Sequence, residues 1–340
     1  MGKIAFLFPG QGAQYVGMGK SLYDAYPAAR DVYEMCEVPN KELDIVWNGT
    51  KENLMETKTA QPALFLADLA AACALDDELQ KRGILVRQET EPGFERMCTL
   101  EDVSPVSGAA GFSLGEMPAL VFAGVMPIMT GYLLVQSRAG FMDECAKKHK
   151  GGMMAILGLT AEQIENACAE VGNAWPVNYN TPGQIVVAYE IEAEAALKEA
   201  IVAAKGKALP LAVSGAFHSP LMNEAAEKFA AEIASNPFEW SATEFPLYSN
   251  VTAQPYGADV KNLLAKQINS PVRWQATIEN MIADGFDTFI ETGPGKTLTG
   301  MVKKIDKNVR TFNVYDAETL EGCVNGIIDR SVKGLMLDVQ

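Results

Sequence analysis

The chain has 340 residues, 48% of them hydrophobic and 21% charged, the balance of a globular protein with a sizeable core rather than of a disordered or fibrous chain. Its formal net charge of -15 argues against general attraction to nucleic acid or to anionic membranes, so neither is expected as a partner. The length exceeds that of a typical single domain, which predicts one large domain carrying a smaller insertion, or two domains.

Lys3 is followed by a short apolar run that stops at Pro9-Gly10, too little for the core of a signal peptide. The longest mostly apolar stretch, residues 118–129, is too short to span a bilayer and contains Pro127. A cytoplasmic protein is expected. The six cysteines (Cys36, Cys73, Cys98, Cys145, Cys168 and Cys323) form no CxxC pair, and they read as scattered reduced thiols; no metal site is expected.

Residues 3–8 (KIAFLF) predict a buried strand running into the Pro9-Gly10-Gln11-Gly12 turn. Helices are predicted over 20–36 and 59–79, the second with Pro62 in its first turn. Residues 80–110 are mixed and charged and read as an irregular surface excursion, with 103–110 poor as a strand. Helices follow over 113–125 and 129–148. Beyond Gly151-Gly152 the pattern changes: strand 153–159, helix 160–171 capped by Thr160, strands 177–179 and 184–189 across Thr181-Pro182-Gly183, helix 192–205 and strand 208–213. That β-α-β-β-α-β order is the signature of a ferredoxin-like unit, placed at 150–213. Alternation then resumes with helix 220–235, strand 246–249, helix 272–283, strand 288–291 and a Gly293-Pro294-Gly295 turn entering a helix. The whole predicts an α/β fold with a mainly parallel sheet.

The strongest chemical signal is Gly111-Phe112-Ser113-Leu114-Gly115, a G-x-S-x-G pattern. Such a turn needs small neighbours because the serine backbone is strained. It presents Oγ at a helix start, where free N–H groups favour developing negative charge. A Gly- and Ser-rich loop would give the same five letters, but Met117, Leu120, Val121 and Val125 recur at helical spacing directly after the serine. Serine requires a base, usually histidine. Of the two histidines, His149 lies in a cationic helix end (Lys147-Lys148-His149-Lys150) and is expected in solvent. His218, in Gly215-Ala216-Phe217-His218-Ser219-Pro220, could be a capping or core histidine, and it is the one able to serve Ser113.

Seven segments then occur in order: Phe8-Pro9-Gly10-Gln11-Gly12; Gly111 to Glu116; Gln136-Ser137-Arg138; Asn178-Tyr179-Asn180-Thr181-Pro182-Gly183-Gln184-Ile185-Val186; Gly215 to Pro220; Ser270-Pro271-Val272-Arg273-Trp274; and Glu291-Thr292-Gly293-Pro294-Gly295-Lys296. With these the chain resembles, over nearly its whole length, the malonyl-CoA:acyl carrier protein transacylases and the related acyltransferase domains of fatty acid and polyketide synthases. The resemblance implies an α/β-hydrolase-like catalytic domain (1–149 and 214–340) carrying a small inserted ferredoxin-like subdomain (150–213). It implies Ser113 as the acylated nucleophile, His218 as its base, and the backbone N–H groups of Gln11 and Leu114 as the oxyanion hole. Arg138 would pair with the free carboxylate of malonate, and Asn178 would line the site. The Gln267 carbonyl would hold the histidine in place of a triad aspartate. Phe217 would narrow the pocket, and in the family its Phe-His-Ser pattern tends to accompany malonyl rather than branched substrates. No bound cofactor is implied: the coenzyme A thioester is a substrate, and malonyl-CoA and acyl carrier protein are the partners.

The chemistry agrees, because a carboxylate would be rejected by an apolar pocket unless paired, and an arginine fork can take it through two parallel hydrogen bonds. One departure is Phe112, where the family usually has histidine before the nucleophile. A second is the long excursion at 80–110. Two rivals share the pattern: a hydrolase acting on carrier-protein thioesters, which would have no need of Arg138, and a non-catalytic carrier-binding module, to which Phe112 points. A basic rim from Lys296, Lys303 and Lys304 is expected to meet the acidic carrier.

Overall fold

Beyond Lys3, every residue of the first strand is fully buried. Ile4, Phe6 and Phe8 pack into one core, and Ala5 and Leu7 into another. Since successive strand side chains point to opposite faces, both faces of the sheet must be covered, which requires a three-layer arrangement. Each large apolar side chain buried this way contributes about 1.5–3 kcal/mol.

The computed structural model describes residues 3–82 and 106–337 apart from 239 and 244. Its strands are β1 (Lys3–Phe8), β2 (Val106–Gly111), β3 (Gly151–Leu157), β4 (Ala174–Thr181), β5 (Gln184–Glu190), β6 (Lys207–Pro210), β7 (Leu247–Tyr248), β8 (Phe286–Thr292) and β9 (Arg310–Val314). One sheet has the order β7-β2-β1-β8-β9 and is parallel throughout. Helices Thr57–Lys81, Glu116–Phe122, Ile128–Lys148 and Asn223–Ser235 contribute to the core on one face, and Trp274–Ala283 and Thr297–Ile305 to the core on the other.

The second sheet is antiparallel, in the order β4-β5-β3-β6. Its two crossover helices, Ala161–Val171 and Glu194–Ala203, lie against one face, where Met154, Ile156, Ile185 and Val187 meet Ile164, Leu197 and Ile201. Met153, Ala155, Val186 and Ala188 on the opposite face join the main core. The parallel α/β sheet and the smaller α+β unit are both as expected. The Thr160 cap is present as a reciprocal box: its hydroxyl accepts the Gln163 N–H at 3.3 Å, and the Gln163 side chain accepts the Thr160 N–H at 2.9 Å. No described helix is long and apolar enough to cross a membrane.

Several expectations are corrected. The helix at 20–36 is two helices, Lys20–Ala25 and Pro27–Met35, because Tyr26 precedes a proline and is held extended at φ -122° and ψ 119°. Pro62 lies not in the first turn but one turn further on, since the helix begins at Thr57; its missing N–H deprives the Lys58 carbonyl of its usual partner. The helix expected over 113–125 opens with a tight turn, Ser113–Gly115, and ends at Phe122, before Gly124 turns left-handed at φ 73°. Residues 106–110 belong to a central strand rather than to an excursion. That strand looks weak because it is made of small residues, and a Cβ on Gly108 would lie 2.6 Å from the Phe286 ring and 2.9 Å from the Pro246 carbonyl. Gln80 and Lys81 are the end of the helix begun at Thr57, and the rest of the expected excursion, 83–105, lies outside the described residues.

Candidate active site

The carboxyl ends of β1, β2, β7 and β8 lie along one edge of the parallel sheet, the edge where open α/β folds gather their chemistry. β2 delivers Ser113 there at φ 53°, a left-handed backbone that a residue with a Cβ adopts only under constraint. The glycines on either side are required by contact. A Cβ on Gly111 would come within 2.0 Å of the Gly115 carbonyl carbon, and one on Gly115 within 2.0 Å of the Phe8 carbonyl oxygen. The turn is therefore wedged against the end of β1.

His218 lies across from it, also left-handed at φ 62°. Its Nε2 is 2.7 Å from Ser113 Oγ, and its Nδ1 is 2.9 Å from the carbonyl oxygen of Gln267. A carbonyl can only accept, so Nδ1 carries the proton and Nε2 presents its lone pair to the serine hydroxyl. Burial first, and then the positive charge of Arg138, lower the imidazole to about 4. At neutral pH the ring is an uncharged acceptor.

Arg138 rises from Ile128–Lys148 and is 1% exposed. Its Nη1 donates to Gln61 Oε1 at 2.7 Å, its Nη2 to Gln267 Oε1 at 2.8 Å, and Nη2 also approaches Ser113 Oγ at 3.4 Å. Among the described residues Nε has no partner and no carboxylate forms a salt bridge with the guanidinium. Burial brings its pKa down to about 10. The nearby Glu116, fully buried, is pushed up to about 7 by burial, against the hydrogen bonds it accepts and the charge of Arg138. The site thus holds a buried cation whose hydrogen-bond partners are neutral amide oxygens. An incoming carboxylate would meet there a positive charge that no salt bridge among the described residues engages.

The structure brings Ser113, His218, Arg138 and Gln267 together. The side chain of Gln267 does more than the sequence suggested: besides accepting from Arg138, its Nε2 donates to the Ser113 carbonyl. Gln11 follows β1, with its side chain donating to Thr57 Oγ1 at 3.4 Å. Leu114 is buried as the second residue of the elbow turn, where helical N–H groups lack acceptors within the turn. Asn178 lies in β4 beside Val272, with Oδ1 buried and without a partner among the described residues; no hydrogen bond joins it to the serine, histidine or arginine. Phe217 is 6% exposed and packs into the main core. Phe112 packs edge-on against Trp274, ring centroids 5.4 Å apart, and so belongs to the second core. His149 lies at its helix end, 3.4 Å from Glu224, away from Ser113.

Gln61, Glu116, Asn250 and Tyr256 were not anticipated. Asn250 accepts the Ser113 N–H at 2.7 Å; Glu116 accepts the Asn250 N–H at 2.7 Å and the Tyr256 hydroxyl at 2.8 Å. Two signals were available: Asn250 stands just past the predicted strand 246–249, and Glu116 is a carboxylate within the apolar run that follows the elbow.

Comparison with known proteins places the chain in a family. Residues 5–90 and 102–321 match the model of the acyl transferase domain. The chain is 38% identical over 330 residues to the malonyl CoA-acyl carrier protein transacylase of Bacillus subtilis, covering 94% of this chain and 96% of that one. Among solved structures it resembles the malonyl CoA-acyl carrier protein transacylase of Clostridium perfringens (TM-score 0.83, 34% identity, 98% of this chain and 99% of that one). It also resembles a malonyl-transacylase solved in complex with its type II PKS acyl-carrier protein (TM-score 0.82, 33% identity, 95% and 99%). By its match over most of its length and by its likeness to these relatives, this chain belongs to the malonyl CoA-acyl carrier protein transacylase family of acyl transferase domains.

Proposed function

We propose that the protein transfers a malonyl group from malonyl-CoA to the phosphopantetheine thiol of an acyl carrier protein, through an ester on Ser113, for fatty acid or polyketide synthesis. The observation that carries the reading is one cluster: Ser113 Oγ 2.7 Å from His218 Nε2 and 3.4 Å from a buried arginine that no carboxylate among the described residues salt-bridges. The malonyl carboxylate binds Arg138. Oγ attacks the thioester carbonyl as His218 Nε2 takes its proton, and the oxyanion is held by the N–H groups of Gln11 and Leu114. The carbonyl reforms, the C–S bond breaks and coenzyme A leaves with the proton. The carrier thiol then gives its proton to His218, attacks the ester, and Ser113 leaves as the hydroxyl.

Protonating a buried histidine beside a buried arginine is costly, as the lowered His218 value implies. A substrate carboxylate on Arg138 offsets that charge, so the same group that is recognised also eases the proton transfer. Asn178 and Phe217 are proposed to line the acyl pocket, and Gln267 to fix the histidine. The chemistry needs no bound cofactor, and a cytoplasmic location is part of the same proposal. So is a division into a catalytic part (1–149 and 214–340) and an inserted part (150–213), supported by the pairing of β3 to β6 in a sheet of their own.

Lys296, Lys303 and Lys304 are exposed, and none is in a salt bridge among the described residues, which supports their meeting an acidic carrier. Incubation with malonyl-CoA and holo carrier protein tests the function: transfer yields malonylated carrier, whereas a hydrolase would leave free malonate.

A further inference from the structure

Asn250 reaches the elbow from the carboxyl end of β7, the strand beside β2. Its Oδ1 accepts the N–H of Ser113 at 2.7 Å, and its Nδ2 donates to the Gly111 carbonyl at 2.6 Å. These partners fix the amide orientation, since the reverse would set donor against donor and acceptor against acceptor. The backbone of Asn250 is held in turn. Its N–H donates to Glu116 Oε1 at 2.7 Å, and its carbonyl accepts the Arg273 N–H at 3.0 Å. Asn250 and Glu116 are both fully buried, so water does not compete for these bonds.

What Asn250 grips is the strained residue of the turn, Ser113 at φ 53°. The clamp also decides which amide is left for chemistry. Three successive N–H groups leave the elbow. That of Ser113 is taken by Asn250, and that of Gly115 donates to the Phe112 carbonyl at 2.9 Å. The Leu114 amide lies between them, and the amide after the nucleophile is the one that elbow enzymes use for the oxyanion.

We propose that Asn250 is a positioning residue for acyl transfer, holding Ser113 in its left-handed conformation and, by occupying the amide of the nucleophile, leaving the Leu114 amide as the elbow's donor to the oxyanion. The inference rests on the acyl-Ser113 reading of the function. It makes Asn250 matter to the rate of acylation and not to substrate affinity, because no atom of Asn250 is assigned to the substrate.

The experiment uses the full chain with Asn250→Leu, which removes both side-chain bonds, and Asn250→Asp, which keeps the acceptor for Ser113 and loses the donor to Gly111. Acylation by malonyl-CoA is followed in single turnovers by intact mass, alongside steady-state KM and near-ultraviolet circular dichroism. The Leu variant should acylate about 100-fold more slowly, as expected for a nucleophile displaced by about an ångström, with KM changed less than about threefold; the Asp variant should fall between it and the wild type. A folded Leu variant acylating within about threefold of the wild-type rate, or a loss confined to KM, overturns the proposal. If the Leu variant does not fold, Asn250→Ala, which also removes both side-chain bonds, is judged by the same threshold. Modification of Ser113 by phenylmethylsulfonyl fluoride, measured on the same proteins, separates this inference from the function. A wild-type chain that reacts with the fluoride but takes no malonyl sinks the malonyl reading, while the ratio of fluoride rates still decides the role of Asn250.

Discussion

Replacing Arg138 by alanine separates recognition of the acyl group from the chemistry on the serine. The guanidinium is 1% exposed, donates to two amide oxygens and retains an unpartnered Nε–H, so it can meet a carboxylate without breaking an existing ion pair among the described residues. A malonyl carboxylate brought into the variant would be buried without a counter-charge, which typically costs about 3–5 kcal/mol. At about 1.4 kcal/mol per tenfold, kcat/KM for malonyl-CoA should fall by a factor between roughly 10² and roughly 4 × 10³. Acetyl-CoA ends in a methyl group and loses no such partner. The variant also removes a charge that depresses His218, which makes the base stronger. The acetyl reaction should therefore change by less than about tenfold. Initial-rate assays with both thioesters give the ratio, with a thermal melt as control because Gln61 and Gln267 lose a donor. Equal losses for malonyl and acetyl would refute the reasoning, since they would mean that Arg138 supports the fold or the nucleophile and does not read the carboxylate.

The pH dependence follows from His218. With the free imidazole at about 4, kcat/KM should fall only as pH drops towards that value, where the protonated ring can no longer accept the serine proton. Arg138→Ala should shift this limb upward; a limb at the ordinary histidine value in both proteins would contradict the account. The same depression bears on stability: between about 6.5 and about 4 the unfolded chain binds a proton that the folded one does not, so stability present above the upper value is lost as pH falls, by up to about 3 kcal/mol. Denaturant melts at pH 7 and pH 5 should show a larger acid loss in the wild type than in His218→Gln. For the carrier protein, Glu at positions 296, 303 and 304 should raise the KM for the carrier while leaving that for malonyl-CoA unchanged; no change in the carrier KM would remove these lysines from the docking surface.

The parts of the site that were legible in the sequence are those whose chemistry or backbone demands a particular residue type. Ser113 was visible through its glycines, which contact explains: neither Gly111 nor Gly115 has room for a Cβ. His218 was found by elimination between two histidines, and Arg138 only through the ordered family motifs, because a single arginine on a helix does not announce that it is buried. The supporting network was not legible. Asn250, Gln61 and the side chain of Gln267 are ordinary polar residues until the sheet brings β7, β2 and two helices to one edge. β2 was missed for a related reason: a strand crowded by Phe286 and Pro246 is built from Gly and Ala, and small residues carry no period-two pattern. Helix breaks at Tyr26 and the early start at Thr57 were misjudged because proline marks a boundary without saying on which side of it the helix lies.

The most direct test is the intact mass of the protein after brief exposure to malonyl-CoA without carrier protein, with Ser113→Ala treated in parallel. One malonyl increment on the wild type, none on the variant, and its loss on adding holo carrier protein are the predicted results. A wild-type chain that gains no mass, or a variant that gains the same mass, would contradict the covalent ester on which the proposed transfer depends.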